Sequence, residues 1–258
     1  MLKRSITNYI FFGTAFRYLQ DAKEGYLLGE QGSEDGLVRH CLARVLNRLE
    51  TFELHVTRRA AVELETFLEE MEELPKDHKL TADQAKRLSK IIKDIRLTLE
   101  AETLGNVAFI VTDKRIDVEK LLDDVAVLFA PGAFEKLPGI AQYDFAESGK
   151  CIAFERPTAA AFHCLRGTEA ALRHYYCSLV KKGRGELMWG PIVTSLRRSR
   201  KSPPAVMLSN LDNIRESFRN PTTHPEARYD ISEVQDLFNL CVDVVNRMVK
   251  DLEARGMA

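Results

Sequence analysis

The chain has 258 residues, 45% of them hydrophobic and 29% charged, with 37 basic against 38 acidic side chains. That apolar fraction excludes a wholly disordered chain, which would bury too little surface to offset its ordering entropy, and the length suits one large or two modest domains. No apolar run approaches the ~20 residues that span a bilayer, and no small-residue cleavage site follows the short apolar stretch Tyr9–Phe16, so neither a membrane span nor a secretory signal is expected.

The net charge of −1 is the sum of unequal parts. Residues 1–150 hold 21 basic and 26 acidic side chains, and residues 151–258 hold 16 and 12. The positive excess concentrates between Lys181 and Lys201, where Lys181, Lys182, Arg184, Arg197, Arg198, Arg200 and Lys201 are opposed only by Glu186. Such a segment attracts phosphates by releasing counterions, and it reads as a basic loop and a candidate RNA contact. The five cysteines, Cys41, Cys151, Cys164, Cys177 and Cys241, are odd in number and widely spaced. They argue against a disulfide framework and for a reducing, cytoplasmic setting. His163, Cys164, His174 and Cys177 come nearest to a metal-ligand cluster, but they share one helical pattern and read as ordinary helix residues. No metal or other cofactor is expected.

In chain order, the first clear element is helical. Val38, Cys41, Leu42, Val45, Leu46, Leu49, Phe52 and Val56 recur on one face, and the pattern continues through Val62, Leu64, Phe67, Leu68 and Met71 until Pro75 ends it. Six acids in Glu63–Glu73 form a solvated face of this element. A second helix is expected over 81–103, with Thr81 as N-cap and Leu88, Ile91, Ile92, Ile95 and Leu99 as its stripe. Asn106–Thr112 is rich in β-branched and aromatic residues and reads as one short strand. A helix around 117–130 follows, and Pro131–Gly132 and Pro138–Gly139 mark a boundary at 131–140.

Four helices are expected beyond it, over about 140–149, 158–182, 204–219 and from 231 onward. Helical pairs of this kind bury their stripes as an antiparallel bundle. Glu169 falls in the apolar stripe of the second and needs a cationic partner, an arginine of the third helix. Asp230-Ile231-Ser232-Glu233 is a capping sequence for the last.

Between the third and fourth of these helices stands Arg219-Asn220-Pro221-Thr222-Thr223-His224-Pro225-Glu226. Pro221 disfavours helical geometry at Asn220 and so leaves Arg219 in the last turn, while Pro225 stiffens the chain beyond His224. A guanidinium, an amide and an imidazole are thus held close on a short segment. The trio suits RNA cleavage: His224 moves a proton near neutral pH, Arg219 stabilises charge on the phosphoryl group, and Asn220 orients. The nucleophile is the adjacent 2′-hydroxyl, and the products carry a 2′,3′-cyclic phosphate and a 5′-hydroxyl. Glu216, three residues before Arg219, is expected to orient it; Arg215, four before, adds positive charge.

Residues 140–258 resemble the HEPN superfamily, the higher eukaryotes and prokaryotes nucleotide-binding domains. The resemblance rests on Arg219, Asn220 and His224 as an R-N-x-x-x-H motif between bundle helices, and on the helix from Ala153 to Glu169. It implies a homodimeric helical bundle whose paired motifs cleave RNA without metal, as a toxin of a toxin–antitoxin pair or a phage-defence effector, with a protein antitoxin or regulator as partner. Glu226 stands where one subgroup carries a modified tyrosine, so that regulation is not implied.

The expected fold is therefore mainly α: a mostly helical N-terminal region with one short strand over 1–135, with a sensor, regulatory or dimerisation role, and a HEPN-like antiparallel bundle over 140–258. The rival expectation is an inactive HEPN-like module for dimerisation or nucleotide binding, acting through a protein partner. A regulator that binds nucleic acid through the basic loop alone is a third, with no helix-turn-helix to support it.

Overall fold

The structure, a computed structural model, describes residues 4–29, 37–180, 188–200 and 202–257. It is mainly helical and divides into two compact units that part between Ala108 and Phe109. The turns at 131–140 lie within the second unit. Among the described residues, no helix is long and apolar enough to cross a membrane.

The first unit contains α1 (Ile6–Gln20), α2 (Val38–Thr51), α3 (His55–Ala60), α4 (Val62–Glu72) and α5 (Ala82–Thr103). The apolar stripe expected to run unbroken from Val38 to Met71 is divided into three helices. At the first break Glu53 takes a left-handed φ of 59°, and the Leu54 N–H reaches back to the Leu49 carbonyl at 3.0 Å. That pairing closes the end of α2 as a Schellman turn. Helix α3 has no cap of its own; the Glu102 carboxylate near the end of α5 accepts from the N–H groups of Val56 (2.9 Å) and Thr57 (2.8 Å). Burial opposes the charge on Glu102, but the bonds from Thr57 and Val56 together outweigh it and hold its pKa below the ordinary value. Thr81 and Gln84 form the capping box that starts α5, whose buried stripe is Leu88, Ile91, Ile92 and Ile95.

The strand expected over 106–112 is absent. Val107, Phe109 and Ile110 are 79%, 88% and 80% exposed in a segment without regular structure. A β-branched run becomes a strand only against a partner, and none lies beside it among the described residues. Extended pairing occurs instead at an isolated antiparallel bridge between Leu27 and Lys79, flanked by bonds from Leu28 N–H to the His78 carbonyl and from Leu80 N–H to the Tyr26 carbonyl. That pairing joins two short loops carrying no strand-like run.

The second unit contains α6 (Val118–Asp123), a 3₁₀ turn (Val125–Leu128), α7 (Gly139–Ala153), α8 (Pro157–Val180), α9 (Trp189–Arg198), α10 (Ala205–Ile214), a π-helical turn (Arg215–Arg219), the single turn α11 (Asn220–Thr222) and α12 (Ile231–Ala254). Helix α8 packs against both α7 and α12 and carries the centre of the core. Asp230 and Glu233 cap α12 reciprocally, as their spacing predicts. The segment before α6 is tied to α12 by the Ile116 N–H, which donates to Gln235 Oε1, and by Arg115, which bonds the Ser232 carbonyl and Asp236.

Within the expected basic loop between α8 and α10, the described residues 188–200 are largely a helix. Trp189, Ile192, Val193 and Leu196 are buried at helical spacing, and the Trp189 indole N–H donates to the Leu211 carbonyl of α10 at 3.1 Å. These four apolar residues define α9; the surrounding arginines and lysines drew attention from a stripe that was present.

Close helix contacts depend on small residues. A Cβ added to Gly149 of α7 would lie 2.6 Å from the Leu121 carbonyl oxygen of α6. At Gly167 of α8 it would lie 3.2 Å from Asp144 Cβ. Asp144 is fully buried and is held by the Arg166 guanidinium and by His163 Nδ1 at 2.9 Å. Its charge is therefore compensated within the α7–α8 contact. Cys164 is buried in the core, and burial, with Cys241 beside it, pushes its thiol pKa well up, so it is unreactive. Among the described residues, no three His, Cys, Asp or Glu side chains gather as metal ligands.

Gly149→Ala should cost about 1–3 kcal/mol, because it drives a methyl into backbone rather than into a movable side chain. Gly139→Ala, which meets nothing within 4 Å, should change stability by less than about 0.5 kcal/mol. Urea unfolding of the two variants beside the wild type measures the difference.

Candidate active site

The site begins with Pro221. A proline has no N–H to donate, and within a regular helix its ring collides with the carbonyl four residues earlier. The chain nevertheless does not leave helical geometry there. Asn220 has φ −66° and ψ −50°, against the expectation that it would be extended. The strain is met upstream, where the helix widens into the π turn Arg215–Arg219 and the Asn220 N–H donates to the Arg215 carbonyl. Wide turns of this type recur at functional sites. The third helix of the sequence expectation is therefore α10, a π turn and α11 in succession.

Side chains hold the widened turn. The Thr222 and Tyr229 hydroxyls lie 2.6 Å and 3.1 Å from the Phe218 carbonyl and 2.5 Å from each other, so their two protons bind this three-oxygen cluster together, one donating to the carbonyl and the other to the carbonyl or to its fellow hydroxyl. The Tyr229 ring stacks on Phe218 with centroids 6.4 Å apart. The sequence expectation gives Tyr229 no role. Its signal is positional: an aromatic residue with a hydroxyl, just beyond a proline-containing turn that leaves a carbonyl to satisfy.

Arg219 is half-buried, with its guanidinium 3.5 Å from Glu169 Oε2 of α8. The same carboxylate takes Arg173 at 2.7 Å through Oε1. The partner expected for Glu169, an arginine of the third helix, is thus Arg219 itself. Two guanidiniums share one carboxylate, so the cluster keeps a net positive charge while Arg219 is oriented. Asn220 and His224 are exposed. The His224 N–H donates to the Pro221 carbonyl at 2.8 Å, and the Thr223 N–H to the Asn220 carbonyl at 3.2 Å. A compact turn therefore separates Arg219 from His224, a rise on the order of 8 Å at helical pitch. The His224 ring makes no hydrogen bond among the described residues, which leaves its nitrogens open to solvent or substrate.

Two supporting residues behave differently from expectation. Glu216 is 66% exposed and bonds Arg215 at 2.9 Å rather than orienting Arg219, because neighbours on the widened turn offer it a closer cation. Arg215 also approaches Asp212 at 3.6 Å. Of the seven candidate RNA contacts, Arg197 and Arg198 form the last turn of α9 and Arg200 follows it. Arg197 pairs with Asp212, and Arg198 is exposed without an ion pair among the described residues. Lys181, Lys182, Arg184 and Lys201 lie outside the described residues.

Tyr229→Phe should lower stability by about 1 kcal/mol, the worth of a hydroxyl bonded to a carbonyl. Glu169→Ala should cost a similar ~1 kcal/mol, since its partners are partly solvated. Thermal unfolding checks both, and wild-type stability in either variant would show that its bonds do not hold the turn. No family model matches the chain, and no curated protein or solved structure matches it.

Proposed function

We propose that the protein is a metal-independent endoribonuclease of HEPN type, active as a homodimer formed through its second unit. What supports this reading is an anchored guanidinium and an exposed imidazole five residues apart in the chain, joined by one compact turn. Arg219 is oriented by Glu169 without losing the cluster's positive charge, and His224 stands five residues on with its ring nitrogens unbonded.

Cleavage proceeds in the following way. A scissile phosphate lies against Arg219, whose guanidinium takes up the charge that builds as a fifth oxygen closes on phosphorus. The nucleophile is the 2′-hydroxyl of the adjoining ribose. His224 transfers a proton in this step, either from that hydroxyl or to the departing 5′-oxygen. With the motif duplicated in a dimer, one imidazole serves each role. Asn220 is placed beside Arg219 to donate to a phosphate oxygen through its side-chain amide. An antitoxin or regulatory protein is the partner that the resemblance adds to this reading.

His224→Ala should lower RNA cleavage by about 10²-fold or more, and Arg219→Ala by about 10²- to 10³-fold, with helical content unchanged. EDTA should leave the wild-type rate unaltered. Cleavage of a labelled RNA under single-turnover conditions measures all three; full activity in both variants would remove these residues from the mechanism.

A further inference from the structure

The second unit has an open groove of about 800 Å³ that the motif chemistry does not use. Its wall is the polar face of α9, on the opposite side from the buried stripe, with Gly190, Thr194, Ser195, Arg198 and Ser199 in successive turns, and Arg215 closes it from the π turn. Among the described residues, no acidic side chain lines it. The Ser195 hydroxyl is shared with the Tyr176 hydroxyl at 3.1 Å, which fixes its place. We propose that this groove is a phosphate-binding site, and that it takes a backbone phosphate of the RNA strand beside the linkage held at Arg219. The choice of RNA as the source of the phosphate rests on the ribonuclease reading; the groove's chemistry does not.

Three observations carry the proposal. The first is the donor set: hydroxyls and two guanidiniums, with no carboxylate among the described lining residues, suit a tetrahedral oxyanion. The second is the state of Arg215. Its Nε is buried and has no hydrogen-bond partner among the described residues, so this guanidinium keeps an unsatisfied donor beside the groove. One terminal nitrogen, Nη2, meets both Glu216 and Asp212, and Arg197 shares Asp212. Counting Arg198, three guanidiniums meet two carboxylates, so the neighbourhood stays positive. The third is Gly190. A Cβ there would come within 2.9 Å of Arg215 Nη1, so the guanidinium lies directly over the α9 backbone and a methyl there would push it aside.

Arg215 also links groove and motif. It stands four residues before Arg219, one turn along the same widened helix, so its side chain and that of Arg219 neighbour each other. One strand can therefore meet both, with adjacent phosphates assigned to different guanidiniums.

Two substitutions test the groove without touching the motif. Arg198→Gln removes its unpaired cation, and Gly190→Ala displaces the mobile end of Arg215. The first probe is an RNA blocked by 2′-O-methylation, measured by anisotropy in the full-length protein. Each variant should bind it about 3- to 10-fold more weakly at low salt, and Arg198→Gln should reduce the salt slope by about 0.7. The second probe is inorganic tripolyphosphate, measured by calorimetry, which should bind the wild type and bind both variants more weakly. Unchanged binding of both probes in both variants, or no binding of either by the wild type, overturns the groove. If the wild type still cleaves RNA in that case, the motif reading stands alone. If tripolyphosphate binding is lost in the variants while the wild type neither binds nor cleaves RNA, the phosphate site stands and RNA is not its source.

Discussion

A single missing N–H organises the candidate site. Pro221 lies inside a helical path that the chain does not abandon, and a π turn over Arg215–Arg219 accommodates it. The consequences spread outward from that turn. The Phe218 carbonyl is satisfied by Thr222 and Tyr229, which ties the turn to the chain leading into α12. Arg219 comes within reach of Glu169 on α8, which ties it to the helix at the centre of the core. A guanidinium on a loop would sample many positions; one on a turn held from two sides samples few, and positioning of this kind is what phosphoryl chemistry needs.

The near-zero net charge of the whole protein sets the electrostatic problem. A chain with 37 basic and 38 acidic side chains gains little from general attraction to a polyanion, so positive potential must be local. Local excess arises at Glu169, shared between Arg173 and Arg219, and beside the π turn, where Arg197, Arg198 and Arg215 meet Asp212 and Glu216. Each shared carboxylate fixes two guanidiniums in place and neutralises only one. Both clusters border the π turn.

Much of this architecture was legible in the sequence, for reasons that can be named. The capping residues Thr81 and Asp230 announced α5 and α12, because a cap is a local bargain between a side chain and the next turn. Glu169 in an apolar stripe announced a buried pair, because an unpaired carboxylate there would be too costly. Three features were hidden. The Val107–Ile110 run carried strand propensity but no partner, and pairing is not a local property. Helix α9 was masked by its own charges, although Trp189, Ile192, Val193 and Leu196 keep helical spacing. Helical geometry at Asn220 contradicts the usual effect of a following proline; it depends on a widened turn and on the distant Tyr229, neither of which spacing alone conveys.

The central claim is that Arg219 and His224 direct attack by a ribose 2′-hydroxyl on its own phosphate. The most direct test is the chemistry of the ends that the wild-type protein leaves on a defined RNA, read by mass spectrometry in the presence of EDTA. The account predicts a 2′,3′-cyclic phosphate on one fragment and a 5′-hydroxyl on the other, with no cut at a position carrying a 2′-deoxyribose. Fragments ending in a 3′-hydroxyl and a 5′-phosphate, or an RNA left intact, would contradict it.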